Sequence, residues 1–447
     1  MRKFFEGHSF IGVAVIISVF LLAIFLRFYD LESQSPWTDE LASWWYIRNL
    51  GEVWNRESHS PLYYALLRVF TGDSEIGAIR SFSATVSVIH LVECFFLGQL
   101  CFKKKHFLIF WILICLNPAD IVYARMALHY AWLFEGVLVY YLLWRIRAPI
   151  WLQASISAFM GFIHVFALIP ISFLALFRFW QEKDKKSLFT ILLSANLVLV
   201  YYILRIILGP ERVSINVSWN TQPLLNFWFS IISQFLGHAY PRFEFYPVNF
   251  WHAFLVVVPT SLWALYKRCE SGVLYLFVGV SSLVVIEVLF FWLNLRACRY
   301  VIYIIGFWFV ALVDSIEEVK NWQIFLVLGV VLLYLLFNSP INSHPWDREK
   351  VSEWQSVRAN YPGIQKLICA NDYQTDYFKL NISIPCHLAV SQVDVKSPLL
   401  FFDLSNTHQF LSGHLAALMD VIQFTDLKSG SIIYFEPKKN QDGKVKE

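Results

Sequence analysis

The sequence predicts a polytopic α-helical membrane protein with a small α/β domain outside the membrane. Three observations carry that prediction. Apolar runs of membrane-spanning length recur along the first three quarters of the chain. Hydrophobic residues make up 57% and charged residues only 15% of the 447 positions, whereas roughly a quarter of a soluble domain is charged. From about residue 340 the composition turns polar, and the apolar runs become short.

The first element is the apolar stretch 9–26, behind a short basic start at Arg2 and Lys3. It is too long for a secretory signal core, and "FLRFYDLES" offers no small-residue cleavage site, so an uncleaved helix is predicted. Further spans are predicted at 76–101, 106–122, 127–144, 149–163, 165–179, 187–208, 250–266, 272–293, 299–314 and 322–338, about eleven in all. Arg2, Lys3, Lys103–Lys104–Lys105, Arg145, Arg147, the run QEKDKK at 181–186 and Lys267–Arg268 fall on one side of this arrangement. Basic residues concentrate in cytoplasmic loops, so the N-terminus is expected inside. The loops 27–75 and 209–249 and the region after 338 are then outside. Domain boundaries are expected at 1–339 for the membrane part and 340–447 for the outer α/β domain. In the latter, "QKLICAND", "PLLFFDLS" and "GSIIYFEP" predict strands, and "THQFLSGHLAALMDVIQF" predicts a helix.

A net charge of +3 gives no footprint for nucleic acid. Seven cysteines show no metal-ligand spacing. Five lie in or beside apolar segments and read as packing residues. Cys369 and Cys386 stand in the polar part, where a disulfide and two free thiols are equally open.

Four stretches carry polar chemistry at the outer side. In "SPWTDELASWW" the adjacent carboxylates Asp39 and Glu40 follow the first span. Acidic residues in a first helical turn suit the helix dipole, with Thr38 as N-cap; a general base at an outer-face site is the sharper reading. Leu41, Trp44, Trp45 and Arg48 share one helical face, which predicts a surface helix with aromatics at headgroup level. In "ESHSPLYYALL", His59 precedes a helix start at Pro61, followed by Tyr63. In "NPADIVYARMALHYAW", Asp120 and Arg125 flank a turn between two spans, where an Arg either snorkels or grips a phosphate. In "LNLRACRYVIYIIG", Arg296 and Arg299 lie three apart with Tyr300 adjacent, an arrangement suited to an anion or to an interfacial anchor. His90, Glu93, Glu135, His164, Arg205 and Glu287 are polar residues inside apolar segments and read chiefly as hydrogen-bonded structural positions.

The order of these pieces resembles the GT-C superfamily of membrane glycosyltransferases that use polyprenyl-phosphate sugars. The similarity is to the bacterial branch related to protein O-mannosyltransferases and the lipid A aminoarabinose transferase. It extends over about the first 310 residues. The resemblance implies catalytic roles for Asp39 and Glu40, donor-phosphate binding by Arg125, Arg296 and Arg299, and substrate contacts from His59, Tyr63, Asp120 and Tyr300. It implies a polyprenyl-phosphate sugar donor, a lipid, glycan or protein acceptor, and a location in the bacterial inner membrane. A divalent metal is the one cofactor it leaves open. The sequence departs from the pattern at Ser60, where a second proline is common, and at Tyr123, where an acidic or amide residue often precedes the Ala. A transporter or flippase of lipid-linked sugars is the competing class; the chain lacks the internal repeats typical of that class.

Overall fold

The computed structural model describes residues 10–31, 38–56, 61–73, 75–183, 185–208, 247–267, 270–293, 301–316, 367–369, 386–387, 399–403, 419–427 and 430–437. The predicted span 322–338 and most of the loop 209–249 lie outside them. By its contacts the chain divides into two compact units. The first is Met1–Tyr29, Leu50–Thr71 and Arg80–Pro345; the second is Asp30–Asn49, Gly72–Ile79 and Trp346–Glu447.

The first unit is helical. It holds α1 (Phe10–Phe28), α3 (Leu50–Arg56), α4 (Pro61–Thr71), α5 (Ile76–Cys101, from Arg80 on), α6 (Lys104–Cys115), α7 (Pro118–Ala124) and α8 (Tyr130–Arg145). These are followed by α9 (Ile150–Ile163), α10 (Leu168–Glu182), α11 (Lys185–Leu208), α12 (Pro247–Tyr266), α13 (Glu270–Leu293) and α14 (Ile304–Ser315). The first ten predicted spans each have a helical counterpart. Among the described residues, Ile76–Cys101, Val165–Glu182 and Glu270–Val288 are long and apolar enough to cross a membrane alone. The bent pair α6–α7 makes a fourth.

Two helices form the centre. Every residue of α8 from Tyr130 to Trp144 is buried, and so is all of α14 except Asp314. α14 packs on α6, α8, α12 and α13, while α8 packs on α7, α9, α10 and α14. Peripheral helices instead turn an apolar stripe outward, as α13 does with Val273, Leu276, Phe277, Val280, Val284 and Val288. This is the burial expected when lipid is the solvent. Close approach is built in at Gly161, where an added Cβ would stand 2.8 Å from Leu168 and 3.0 Å from Val198.

One end of this unit is cinched by arginines. Arg145 binds Asp314 through two hydrogen bonds of 2.6 and 2.8 Å and lies over the Phe102 ring. Arg178 donates to the Trp144 carbonyl and covers its ring, and Arg147 pairs with Glu182 at 2.8 Å. These contacts bring together the ends of α5, α8, α10 and α14.

The second unit contains α2 (Thr38–Arg48) and five strands: β1 (Leu367–Cys369), β2 (Cys386–His387), β3 (Leu399–Asp403), β4 (Met419–Leu427) and β5 (Gly430–Pro437). The strands form one mixed sheet in the order β2-β1-β3-β5-β4. β1 is parallel to β2 and β3, whereas β5 is antiparallel to β3 and β4. The predicted strands fall on β1, β3 and β5. The predicted helix is corrected at its C-terminal end, because residues 419–424 belong to β4. Its remainder lies outside the described residues. The register pairs Leu367 with Cys386, which sets Cys369 two residues along the neighbouring strand. Strand spacing and rise then put the two cysteine Cα atoms about 8 Å apart, beyond the ~7 Å limit for a disulfide.

Candidate functional site at the α6–α7 break

The site is built on a helix break that the sequence specifies. Pro118 has no N–H to donate, so the α6 ladder stops, and α7 restarts at a 45° bend. Asn117 caps the new helix, with its side chain accepting from the Ala119 N–H at 3.2 Å. That N–H would otherwise serve the Cys115 carbonyl. The released carbonyl is taken by Arg27 of α1 at 3.1 Å.

Arg27 is fully buried, and each of its three nitrogens donates a hydrogen bond. Its Nη1 also donates to the Ala23 carbonyl at 3.1 Å, its Nε to Ser87 Oγ of α5 at 2.7 Å, and its Nη2 to Asp120 Oδ2 of α7. Ser87 donates onward to Glu135 Oε1 of α8 at 2.7 Å. Four helices, α1, α5, α6 and α7, therefore meet at one guanidinium, with α8 joined through Ser87, and Asp120 and Glu135 are both wholly buried. Asp120, which the sequence offered as a substrate contact, has an internal partner.

Arg125 ends α7, its backbone N–H bonding to the carbonyls of Ile121 and Val122. It is half-buried, and its Nη1 donates to the Leu26 carbonyl of α1 at 2.8 Å. Beyond it the chain turns into α8 through His129, whose ring lies 4.8 Å from His164 and 5.3 Å from Tyr63. Tyr63 is fully buried, edge-on to His129 and Trp132. His164 stands at the α9–α10 break and accepts from the Phe166 N–H at 3.2 Å, so the proton of the neutral ring lies on Nε2. The turn after Arg125 is thus walled by two histidines and several aromatic rings.

In the second unit, Asp39 and Glu40 occupy the first turn of α2. Thr38 is the first helical residue and not the flanking cap. The two carboxylates differ in environment: Glu40 is fully buried, whereas Asp39 is half-buried. The helix is not the one-faced surface element expected. Leu41, Ser43, Trp44, Trp45, Tyr46 and Ile47 are all buried, covering every side of it. Arg48 lies 4.0 Å over the Trp44 ring and donates to the Asp73 carbonyl at 2.5 Å.

His59, Arg296, Arg299 and Tyr300 lie outside the described residues. Arg27, Ser87 and His129 were not singled out in the sequence, although an Arg near the end of an apolar helix is a sign that could have marked the first. Among the described residues, no group of three or more His, Cys, Asp or Glu is arranged to hold a metal ion.

No family model matches the chain, and no curated protein matches its sequence. Solved structures do. ArnT from Cupriavidus metallidurans in the apo state superposes with a TM-score of 0.54 at 11% identity, over 95% of this chain and 97% of that one. The same protein bound to undecaprenyl phosphate gives 0.51, again at 11% identity, with coverage of 95% and 97%. The Archaeoglobus fulgidus oligosaccharyltransferase in complex with Zn and sulfate gives 0.47 at 12% identity, over 94% of this chain and 72% of that one. These likenesses are of fold, and the fold is the GT-C fold that the sequence resemblance implies.

Proposed function

We propose that the protein is a glycosyltransferase that moves a sugar from a polyprenyl-phosphate donor to a hydroxyl acceptor on the extracytoplasmic face of the membrane. The observation that carries this reading is the divided acidic pair. In the first turn of α2 a half-buried Asp39 stands beside a fully buried Glu40, in a chain with the GT-C fold. One carboxylate is partly accessible, and its neighbour is enclosed by protein.

Transfer from a phosphodiester needs a base for the acceptor hydroxyl and positive charge for the departing phosphate. Asp39 takes the proton as the hydroxyl oxygen attacks the anomeric carbon. The bond from that carbon to the phosphate oxygen breaks, polyprenyl phosphate leaves, and in-line displacement inverts the anomeric centre. Glu40 orients the turn that bears Asp39. Arg125, together with Arg296 and Arg299, holds the leaving phosphate through charge-assisted hydrogen bonds. His59 and Tyr300 contact substrate, Tyr63 shapes the wall with His129, and Asp120 acts through its internal ion pair. The N-terminus is cytoplasmic, and the α/β domain of 340–447 lies outside, in reach of a lipid, glycan or protein acceptor.

Asp39→Asn tests the base. Turnover should fall by about 10²–10⁴ in a protein that expresses and folds normally; near-normal turnover refutes the assignment.

A further inference from the structure

We propose that Arg27 is a positioning residue for Arg125, and that the buried Asp120–Glu135 pair holds it in place. The inference rests on the reading of Arg125 as a phosphate ligand.

Arg125 donates to the Leu26 carbonyl, and the next residue along α1 is Arg27. Arg27 in turn grips both sides of the break that leads to Arg125: the Cys115 carbonyl ending α6 and the Asp120 carboxylate in the first turn of α7. The last turn of α1 and the α6–α7 turn are therefore clamped twice, by Arg27 at the buried end and by Arg125 at the open end. Loosening the first clamp frees the carbonyl on which the second rests. Only a guanidinium can make the buried clamp, because Nε, Nη1 and Nη2 each meet a different acceptor; a lysine would bring three donors from a single atom to acceptors spread around a plane.

The carboxyl pair fixes the charge balance. One guanidinium faces two carboxyl groups. Both carboxyl groups are wholly buried, and Asp120 Oδ1 and Glu135 Oε2 find no hydrogen-bond partner among the described residues. A single buried guanidinium balances one carboxylate. Asp120 carries the ion pair with Arg27, whereas Glu135 accepts only from the neutral Ser87 hydroxyl, so charge balance assigns the proton to Glu135. The cluster Arg27–Asp120–Glu135 is then neutral as a whole, as a fully buried site among apolar helices demands.

This assignment predicts an asymmetry that packing alone does not. Glu135→Gln keeps a neutral donor of the same shape and should behave as wild type. Asp120→Asn has nearly the same shape but leaves Arg27 uncompensated and should fail. The experiment uses the full chain in lipid nanodiscs and measures two quantities: amide hydrogen exchange across 117–130, and binding of a fluorescent polyprenyl phosphate. Asp120→Asn and Arg27→Lys should speed exchange across 117–130 while the middle of α8 stays protected. They should also weaken binding about tenfold, the scale of one charge-assisted contact and close to the loss in Arg125→Ala. Ser87→Ala, a smaller cut, should give the same pattern at lower amplitude if either of those variants does not fold. Equal tolerance of Asp120→Asn and Glu135→Gln overturns the proposal, as does weakened binding with unchanged exchange. Normal binding by Arg125→Ala overturns the phosphate reading instead, and the exchange asymmetry alone then decides for or against the clamp.

Discussion

The divided pair Asp39–Glu40 makes a prediction that separates activity from stability. Asp39 is half-buried at the start of α2, and Asp39→Asn keeps the size of the side chain, so it removes little folding energy. A carboxylate at a helix N-terminus contributes about 0.3–1 kcal/mol, up to about 2 kcal/mol where partly buried, and the amide retains part of that through hydrogen bonding. The same change removes the proposed base, for which about 10²–10⁴ in rate is expected, or about 3–5 kcal/mol of barrier. Glu40 is the reverse case. It is fully buried, and Glu40→Ala removes one buried methylene, about 0.8 kcal/mol. It also removes a wholly buried carboxyl group from its contacts, about 1–3 kcal/mol. A loss near 2–4 kcal/mol follows from these two contributions. Thermal unfolding and initial rates should be measured on the same detergent-solubilised preparations. Asp39→Asn should melt with the wild type and be nearly inactive. Glu40→Ala should melt well below it, and Glu40→Gln should fall between. If Asp39→Asn unfolds as readily as Glu40→Ala, or if both variants turn over normally, the division of roles is wrong.

Three further outcomes follow from the geometry. Arg125→Ala should raise the KM for the donor by about ten- to a hundredfold, from loss of a contact worth about 1.5–3 kcal/mol. The KM for the acceptor should stay within a small factor, as rates with each substrate varied separately will reveal. Arg145→Met should destabilise the fold by about 1–3 kcal/mol, discounted for the partial exposure of the pair, whereas Arg145→Met with Asp314→Met should recover most of that. Double-mutant unfolding measures the coupling. Gly161→Val should cost about 1–3 kcal/mol by overpacking against Leu168 and the β-branched Val198. Gly136→Ala should cost less in the same melts, because its new Cβ meets the flexible end of Met160.

Much of the helical unit is legible in the sequence because lipid demands long apolar runs, and their ends are marked by Arg, Lys and Pro. The α6–α7 break is legible too, in Asn117–Pro118. Which helices are central is not. In a bilayer both the core face and the lipid face are apolar, so periodicity carries little information. α8, with its tyrosines, tryptophans and Glu135, is buried from Tyr130 to Trp144, while the more uniformly apolar α13 lines the periphery. The same limit misplaced α2. Its Leu41/Trp44/Trp45 stripe is real, but Ser43, Tyr46 and Ile47 are buried as well. β4 was disguised by a bulge. The register shifts between Val421 and Gln423, so Met419, Val421, Ile422 and Phe424 break the alternation of a strand. Of the proposed site, the acidic pair and Arg125 rest on motif order. The Arg27 clamp could not, since its partners are 60 and 93 residues away in sequence.

The central claim is that the donor is cleaved. The direct measurement follows a polyprenyl-phosphate sugar, labelled in both the lipid and the sugar, with the purified protein in liposomes, with and without envelope acceptor. The account predicts acceptor-dependent release of polyprenyl phosphate, with the sugar appearing on a new hydroxyl in inverted anomeric configuration. Recovery of intact donor, merely moved to the opposite leaflet, would contradict it.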